Sequence, residues 1–328
     1  MNGTIYISLP IRIIITTEGI FGIILNILAI TVVFTSHFGS KFTTFVFRAQ
    51  PIYDLSACFS TAMYYMIQSI SPINNGTGIY IIDVIMCHFW FRNGLFWLPC
   101  VLSVQNLVCI SLDRASSVLF LGSFKTYTNR LFVLYFLYML SMLLILYIPT
   151  PLLRRYTDGQ CVMDFSFPWI QTRVFLDYIV YSWVVFSYFV PVLVTLFSHA
   201  WIIHVLKISR SSHKSFTTQN FEATLQIQKK IAQLVITTTI MSCQLAILHS
   251  FECISQILII CEVVVYTYGT PIEQMGTCLI LLGCTLNPCI LIFSTAPLRK
   301  RLLSSVKSVT ERIGSIGTIG KHTESLMQ

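Results

Sequence analysis

The run LFVLYFLYMLSMLLILYIPTPLL, from Leu131 to Leu153, contains no charged residue. Wound as an α-helix at about 1.5 Å per residue it would be roughly 34 Å long, enough to cross a hydrocarbon core of roughly 30 Å. A second uncharged stretch runs from Gln274 to Leu298, and five more mostly apolar stretches cover 12–35, 43–67, 84–112, 172–206 and 230–257. Arg92, Asp177, His199 and Glu252 interrupt the third, fifth and sixth spans in chain order. The composition agrees: of 328 residues 55% are apolar and 10% charged, with a mean hydropathy of +0.75. A soluble domain carries roughly 25% charged residues, so a water-soluble enzyme is excluded. The expected fold is an all-α integral membrane protein, a seven-transmembrane helix bundle over 12–298, preceded by a short terminus, 1–11, and followed by a tail, 299–328. A cleaved signal sequence starting near Ile13 is the other reading of the first span. It fails because the stretch exceeds an apolar region of about 7 to 15 residues and lacks a small-residue cleavage site.

Seven crossings put the two ends of the chain on opposite sides of the membrane. Sixteen of the 21 cations fall on one side: Lys41 and Arg48; Arg114, Lys125 and Arg130; Lys207, Arg210, Lys214, Lys229 and Lys230; Arg299, Lys300, Arg301, Lys307, Arg312 and Lys321. The other five, Arg12, Arg92, Arg154, Arg155 and Arg173, lie on or toward the amino-terminal side. An excess of Lys and Arg marks the cytoplasm, so the carboxyl end is expected inside a multi-pass plasma-membrane protein. The glycosylation sequons at Asn2 and Asn75 then fall outside, where they can be modified. The formal charge of +8 is on this reading a signature of topology, and no nucleic-acid partner is expected.

Seven of the 11 cysteines (Cys58, Cys100, Cys109, Cys243, Cys253, Cys284 and Cys289) sit within spans as small hydrophobes. Cys87 opens the third span and Cys161 lies in the second outer loop, both on the oxidising side, and a disulfide between them is expected. Cys261 and Cys278 are a second candidate pair. No internal repeat or low-complexity block is visible. The loop from Lys207 to Lys229 is polar, and EATLQIQKKIAQL (Glu222 to Leu234) spaces its apolar residues at helical intervals. After Pro297, LRKRLLSSV sets Leu298, Leu302, Leu303 and Val306 beside Arg299, Lys300 and Arg301, the composition of an amphipathic eighth helix lying on the inner surface; a frayed tail is the alternative.

Polar residues that hydrocarbon should exclude carry the most information. Asn26, Asp54, Ser103 and Asn287 each stand about three helical turns, or roughly 15 Å, from the inner edge of their spans, so one buried layer could hold all four. An ionised Asp54 needs hydrogen bonds or a cation, and Ser103 and Asn287 offer the oxygens that a small hard ion prefers. A sodium-type pocket at Asp54 is therefore one reading; a neutral or water-bridged carboxyl holding helices in register is the other. Asn26 reads as an interhelical hydrogen-bonding residue. The third span opens at Cys87 and ends in Asp113 and Arg114, a functional pair or an instance of interfacial snorkelling.

Asn26, Asp54, Asp113-Arg114, Pro191 and Asn287-Pro288 stand in the order and helix assignment of the rhodopsin-like (class A) G-protein-coupled receptors, and the chain resembles that family from about Arg12 to Val306. By this resemblance Asp113-Arg114 matches the family's Asp-Arg-Tyr lock, Asn287-Pro288 its Asn-Pro-x-x-Tyr motif, and Cys87 with Cys161 its outer disulfide. Departures accompany the likeness. Ala115 and Leu291 replace the two motif tyrosines, and Cys243-Gln244-Leu245-Ala246 stands where a Cys-Trp-x-Pro pattern is usual. The fourth span has no tryptophan, and Cys87 is two residues farther from Arg114 than is customary. The pattern looks like that of divergent invertebrate receptors, flatworm orphan groups among them. The resemblance implies coupling to a heterotrimeric G protein through Asp113, Arg114, Asn287, Pro288 and Pro191. The sixth helix would swing out and free Arg114 in response to an extracellular ligand with differential affinity for the two states. It also implies arrestin and a receptor kinase as partners, with Ser304, Ser305, Ser308, Thr310, Ser315 and Thr318 as tail phosphorylation sites.

Absences constrain the ligand. RNGLFWLP (Arg92 to Pro99) has no acid to pair with a biogenic amine, and the seventh span has no lysine for retinal. Arg92, Asn93, Phe96, Asp177, His249, Glu252 and Gln256, in the outer halves of their spans, are the candidate pocket. With Asp83, Asp158, Asp164, Glu262 and Glu273 also on the outer side, a basic amidated neuropeptide is the preferred ligand, and a small chemosensory molecule the alternative. A transporter would want paired repeats with broken helices, and an enzyme a convergent catalytic set or a spacing such as H-E-x-x-H. Neither is present, and no catalytic role or cofactor beyond the sodium ion is expected.

Overall fold

In a hydrocarbon core every backbone N–H and C=O must be satisfied within the segment, so an apolar run has the helix as its only open form. Among the described residues of the computed structural model, six helices are long and apolar enough to cross a membrane: α1 (Leu9–Phe34), α3 (Tyr80–Val118), α4 (Asn129–Tyr147), α5 (Thr172–Val205), α6 (Ala232–Ile260) and α7 (Pro271–Ser294). The structure describes residues 9–70, 77–119, 128–164, 171–212, 218–264, 269–295 and 298–304. Within the most apolar window of each helix, 67% of α3 and 61% of α7 are buried, against 22% of α4, α5 and α6. α3 and α7 are therefore the central helices. The others turn Ile, Leu and Phe outward, such as Ile13, Phe21 and Ile24 on α1 and Val133, Leu137 and Leu140 on α4.

The helix Lys41–Ile70, α2, is long enough to cross but falls short in apolarity. It packs against α1, α3 and α7, and its polar side chains Thr43, Thr44, Gln50, Asp54 and Thr61 all point into protein. A helix screened by its neighbours need not be apolar all round. Close contact with α1 depends on Gly22, where a Cβ would collide with Cys58 Sγ and stand 2.7 Å from Thr285 Oγ1. Side chains seal the contacts in two layers. Ile15, Tyr64, Tyr65, Phe96, Ile280 and Leu281 form one core, and Phe42, Phe47, Ile110, Tyr135, Met139 and Leu291 form the other.

Between α4 and α5 a tight hairpin pairs β1 (Arg154–Thr157) with β2 (Gln160–Met163), with Tyr156 opposite Cys161. Asp158 (φ 52) and Gly159 (φ 76) both have positive φ, as such a turn requires. The hairpin marks one end of the molecule; the connection between α1 and α2 marks the far end.

Three helices widen by a π-helical turn, at Met86–Trp90, Leu143–Tyr147 and Val184–Phe189. The last two precede Pro149 and Pro191, which have no N–H to offer the preceding turn. The third helix was expected to run unbroken from Cys87 to the Asp113-Arg114 pair. Instead it breaks at Arg92 (φ 53) and Asn93 (φ 55). Tertiary bonds hold the turn before that break: Cys87 is bonded to Cys161, and Arg154 Nη1 donates to His88 O at 2.5 Å. Residues 298–304 are helical, with Leu298 buried in the far-end core and Arg299, Lys300 and Arg301 exposed. Val306 and the tail serines and threonines after Ser304 lie outside the described residues, as do Asn2 and Asn75.

Candidate functional site

Halfway along α2, Asp54 has no exposed surface. Its Oδ1 accepts from Ser103 Oγ at 2.6 Å, and its Oδ2 accepts from Asn287 Nδ2 at 3.0 Å and Gln50 Nε2 at 3.2 Å. The three residues expected to form the ion pocket thus converge. Gln50 carries the layer further, accepting from Asn106 Nδ2 at 2.8 Å, and Asn106 Oδ1 accepts from Tyr135 OH at 3.1 Å. Tyr53 OH stands 3.0 Å from Tyr135 OH. One polar chain therefore crosses from α7 through α2 and α3 to α4. Of this set, the buried carboxylate, the Ser103 hydroxyl and the Asn287 amide, which can present oxygen instead of nitrogen by a half-turn, are the groups that would hold a sodium ion, whereas Gln50 Oε1 is committed to Asn106.

Asn26 stands one turn nearer the hairpin end, where it clamps two helices together. Pro288 has no N–H, so the carbonyl four residues earlier, on Cys284, lacks its helical donor; Asn26 Nδ2 supplies one at 3.1 Å. A similar repair serves Pro191. Within its π-helical turn, Val190 N–H bonds Val185 O, so Phe186 O would look to Pro191. It accepts instead from Gln105 Nε2 of α3 at 2.8 Å.

At the far end Asp113 and Arg114 form an ion pair with each residue 4% exposed. Thr43 Oγ1 donates to Asp113 Oδ2 at 2.8 Å, and Arg114 Nη2 donates to Thr43 Oγ1 at 2.5 Å, so α2 pins the pair. A guanidinium this deeply covered does not snorkel to water. Nearby, His199 of α5 places Nε2 3.3 Å from both Ser111 Oγ of α3 and Ser242 Oγ of α6. Both hydroxyl protons are used on backbone carbonyls, Leu107 O and Thr238 O, so Nε2–H is the donor to them. α6 is tied to α7 by Gln233 Nε2 to Ser294 O at 3.0 Å and Ser294 Oγ to Thr237 Oγ1 at 2.8 Å. Gln244 of α6 donates to Gly283 O at 2.8 Å.

The hairpin end distributes the proposed pocket unevenly. Glu252 is buried, accepts from Gln256 Nε2 at 2.8 Å, and rests on Gly276, where a Cβ would collide with its Oε2. His249 stands between two narrow crevices, one reaching down to Ser103 and Asn287, the other lined by Glu252 and Tyr188. On α7, Glu273 is buried near Glu252 and Arg92. Asn93 is buried with neither side-chain polar atom bonded. Phe96 does not face the crevices; it is fully buried in the core against Trp97. Asp177 is exposed and makes no hydrogen bond or ion pair among the described residues. Cys87 and Cys161 are bonded, with Cα atoms 5.3 Å apart, whereas Cys261 and Cys278 are both free thiols. Cys278 Sγ instead donates to Glu18 Oε2 at 3.1 Å. In the hairpin, Tyr156 OH donates to Asp83 Oδ2 at 3.0 Å, and burial together with that carboxylate raises the phenol's pKa.

Gln50, Asn106, Thr43, Tyr135 and Glu273 belong to these clusters although sequence reasoning did not assign them there. Gln50 carried a readable signal, standing one turn before Asp54 on the same helix face. Among the described residues no three His, Cys, Asp or Glu side chains are grouped to hold a metal ion. No family model and no curated protein matches this chain.

Proposed function

We infer that this chain is a seven-crossing receptor of the rhodopsin-like G-protein-coupled kind, with α2 as the seventh crossing and residues 298–304 opening the eighth helix. The observation that carries the reading is the buried Asp113–Arg114 pair at the far end, held by Thr43. An arginine has no structural need to be covered at a helix end beside water; held there by Asp113 and Thr43, it becomes available to a partner once those bonds are released. Two further features support the reading. Asp54, Ser103 and Asn287 join the three helices whose relative shift would transmit the signal, and the Cys87–Cys161 bond ties the hairpin to α3. With the cation excess marking the cytoplasm, the hairpin end is extracellular. The buried carboxylates Glu252 and Glu273 there favour a basic ligand, in keeping with an amidated peptide.

In the proposed cycle the ligand binds more tightly to the arrangement with α6 displaced and shifts the population by that difference. A heterotrimeric G protein then takes Arg114, and arrestin and a receptor kinase would act on the same cytoplasmic face and tail. Asp54 and Ser103 would hold a sodium ion that favours the closed arrangement. The test is a basic-peptide library screened on cells expressing the chain with a promiscuous G protein, followed by nucleotide exchange in membranes. An active peptide should stimulate exchange in the parent and not in Arg114→Ala at equal surface expression. Undiminished exchange in that variant would remove Arg114 from the coupling role, and substrate flux into proteoliposomes would favour a transporter.

A further inference from the structure

A surface cavity of about 570 Å³ opens at the far end between the α1–α2 connection and the outward face of α2. None of the interactions proposed for signalling uses it. At its mouth are His37 and Lys41, both exposed, and deeper in is Arg48. Arg48 Nη2 donates to Phe34 O at 2.7 Å and Ser36 O at 3.2 Å, but its Nε is buried without a partner. His37 and Lys41 make no hydrogen bond or ion pair among the described residues, and no carboxylate among them lies within ion-pair distance of Arg48. Asp113, nearby on α3, is already occupied by Arg114 and Thr43. Among the described residues the cavity is thus a cationic pocket with no internal counter-ion.

The rest of its wall is mostly apolar, with Phe34 from α1 and Phe45, Ala49 and Ile52 climbing α2, while Ser40, Thr44 and Tyr53 add hydroxyls to it. Phe34 and Ile52 are both exposed. From Lys41 to Arg48 is about 10 Å along the helix, and to Ile52 about 16 Å, while the headgroup zone of a leaflet is roughly 5 to 8 Å deep. The Arg48 backbone lies deeper than that zone, but its guanidinium reaches back to Phe34 O and Ser36 O at the end of α1, so both charges stand at the headgroup side of the cavity with hydrocarbon-seeking surface above them, in the order in which a phospholipid presents phosphate and acyl chain. We propose that this cavity binds one anionic phospholipid, its phosphate between Lys41 and Arg48 and an acyl chain along Phe45 and Ile52. The proposal depends on the chain's residence in a bilayer and not on what it transmits. On the orientation argued above, the lipid belongs to the cytoplasmic leaflet, where anionic lipids concentrate.

The full chain in nanodiscs of phosphatidylcholine containing phosphatidylserine, released for native mass spectrometry, reads the site directly. The parent should retain one phosphatidylserine in preference to phosphatidylcholine. A basic side chain at the surface adds about fivefold to such binding, so Lys41→Gln should lower retention about fivefold and Lys41→Gln/Arg48→Gln more than about tenfold. Arg48 also holds the connection through two carbonyls, so the single Lys41→Gln variant keeps the test independent of folding. Arg299→Gln/Lys300→Gln, which removes two exposed cations elsewhere on the same side, should leave retention unchanged. Equal retention in the parent and Lys41→Gln, equal retention of the two lipids, or a loss in the Arg299→Gln/Lys300→Gln variant as large as in Lys41→Gln would overturn the site.

Discussion

A carboxylate with no exposed surface costs several kcal/mol to keep ionised unless donors or a cation replace its water. Asp54 has donors from Ser103, Asn287 and Gln50. The carboxylate and the Ser103 hydroxyl would serve a proposed sodium ion, and a ligand that binds only the folded state raises its melting temperature with concentration. Replacing N-methylglucamine chloride by sodium chloride should therefore raise the melting temperature of the detergent-purified parent, and Asp54→Asn should abolish the rise. Parallel salt curves for the two proteins would discard the ion. The first members of this layer could be read in the sequence because asparagine, aspartate and serine are conspicuous where hydrocarbon is expected. Tyr135 and Asn106 could not: a tyrosine in an apolar helix looks like packing until its hydroxyl is seen to meet Asn106, and Asn106 needed the carbonyl of Val46 and the amide of Gln50, both far away in the chain, to acquire meaning. Phe96 erred in the other direction, since a residue can lie at the right depth and still face the core.

At the scale of elements, hydropathy located six of the long helices with ends up to six residues off, because length and apolarity are properties of the segment alone. What it missed depends on neighbours. The polar face of α2 is tolerable only because α1, α3 and α7 cover it, and the break at Arg92 and Asn93 accompanies a disulfide and an arginine from a hairpin on the far side of α4 in the chain. The covering of α2 rests in turn on close approach of helices at small residues. Gly22→Val would drive a branched side chain into Cys58 and Thr285. Overpacking of this kind costs about 1–3 kcal/mol, which should appear as a lower melting temperature in detergent, whereas an unchanged value would mean that α1 can move aside at no cost. Gln105→Leu should also destabilise, by about 1–3 kcal/mol, because Phe186 O would be left without a donor beside Pro191. Full stability in that variant would show that water reaches the π-helical turn.

Over the whole molecule the proposed switch requires two arrangements separated by only a few kcal/mol, so the bonds holding α6 at the far end must be few and individually weak. Among the described residues four are visible: His199 between Ser111 and Ser242, Gln233 to Ser294, Ser294 to Thr237, and Thr237 with Thr295. Side-chain hydrogen bonds between helices in membranes are worth about 0.6 kcal/mol and at most about 1.7 kcal/mol, so removing one should shift a two-state balance roughly three- to eighteen-fold. His199→Phe keeps the bulk of the ring and deletes the donor to both hydroxyls. Among the described residues, His199 is the polar bridge between α6 and α3. The variant should therefore exchange backbone hydrogens faster over residues 232–242 in nanodiscs, and stimulate G-protein nucleotide exchange without added ligand, while His199→Asn, which retains a donor, should fall between it and the parent. Faster exchange with unchanged nucleotide turnover would keep α6 as the moving element but deny that its movement serves a G protein. Exchange equal in all three proteins would mean that α6 is held by packing of Val235 against Val118 and Ile202, and the polar tie at His199 would have no part in the switch.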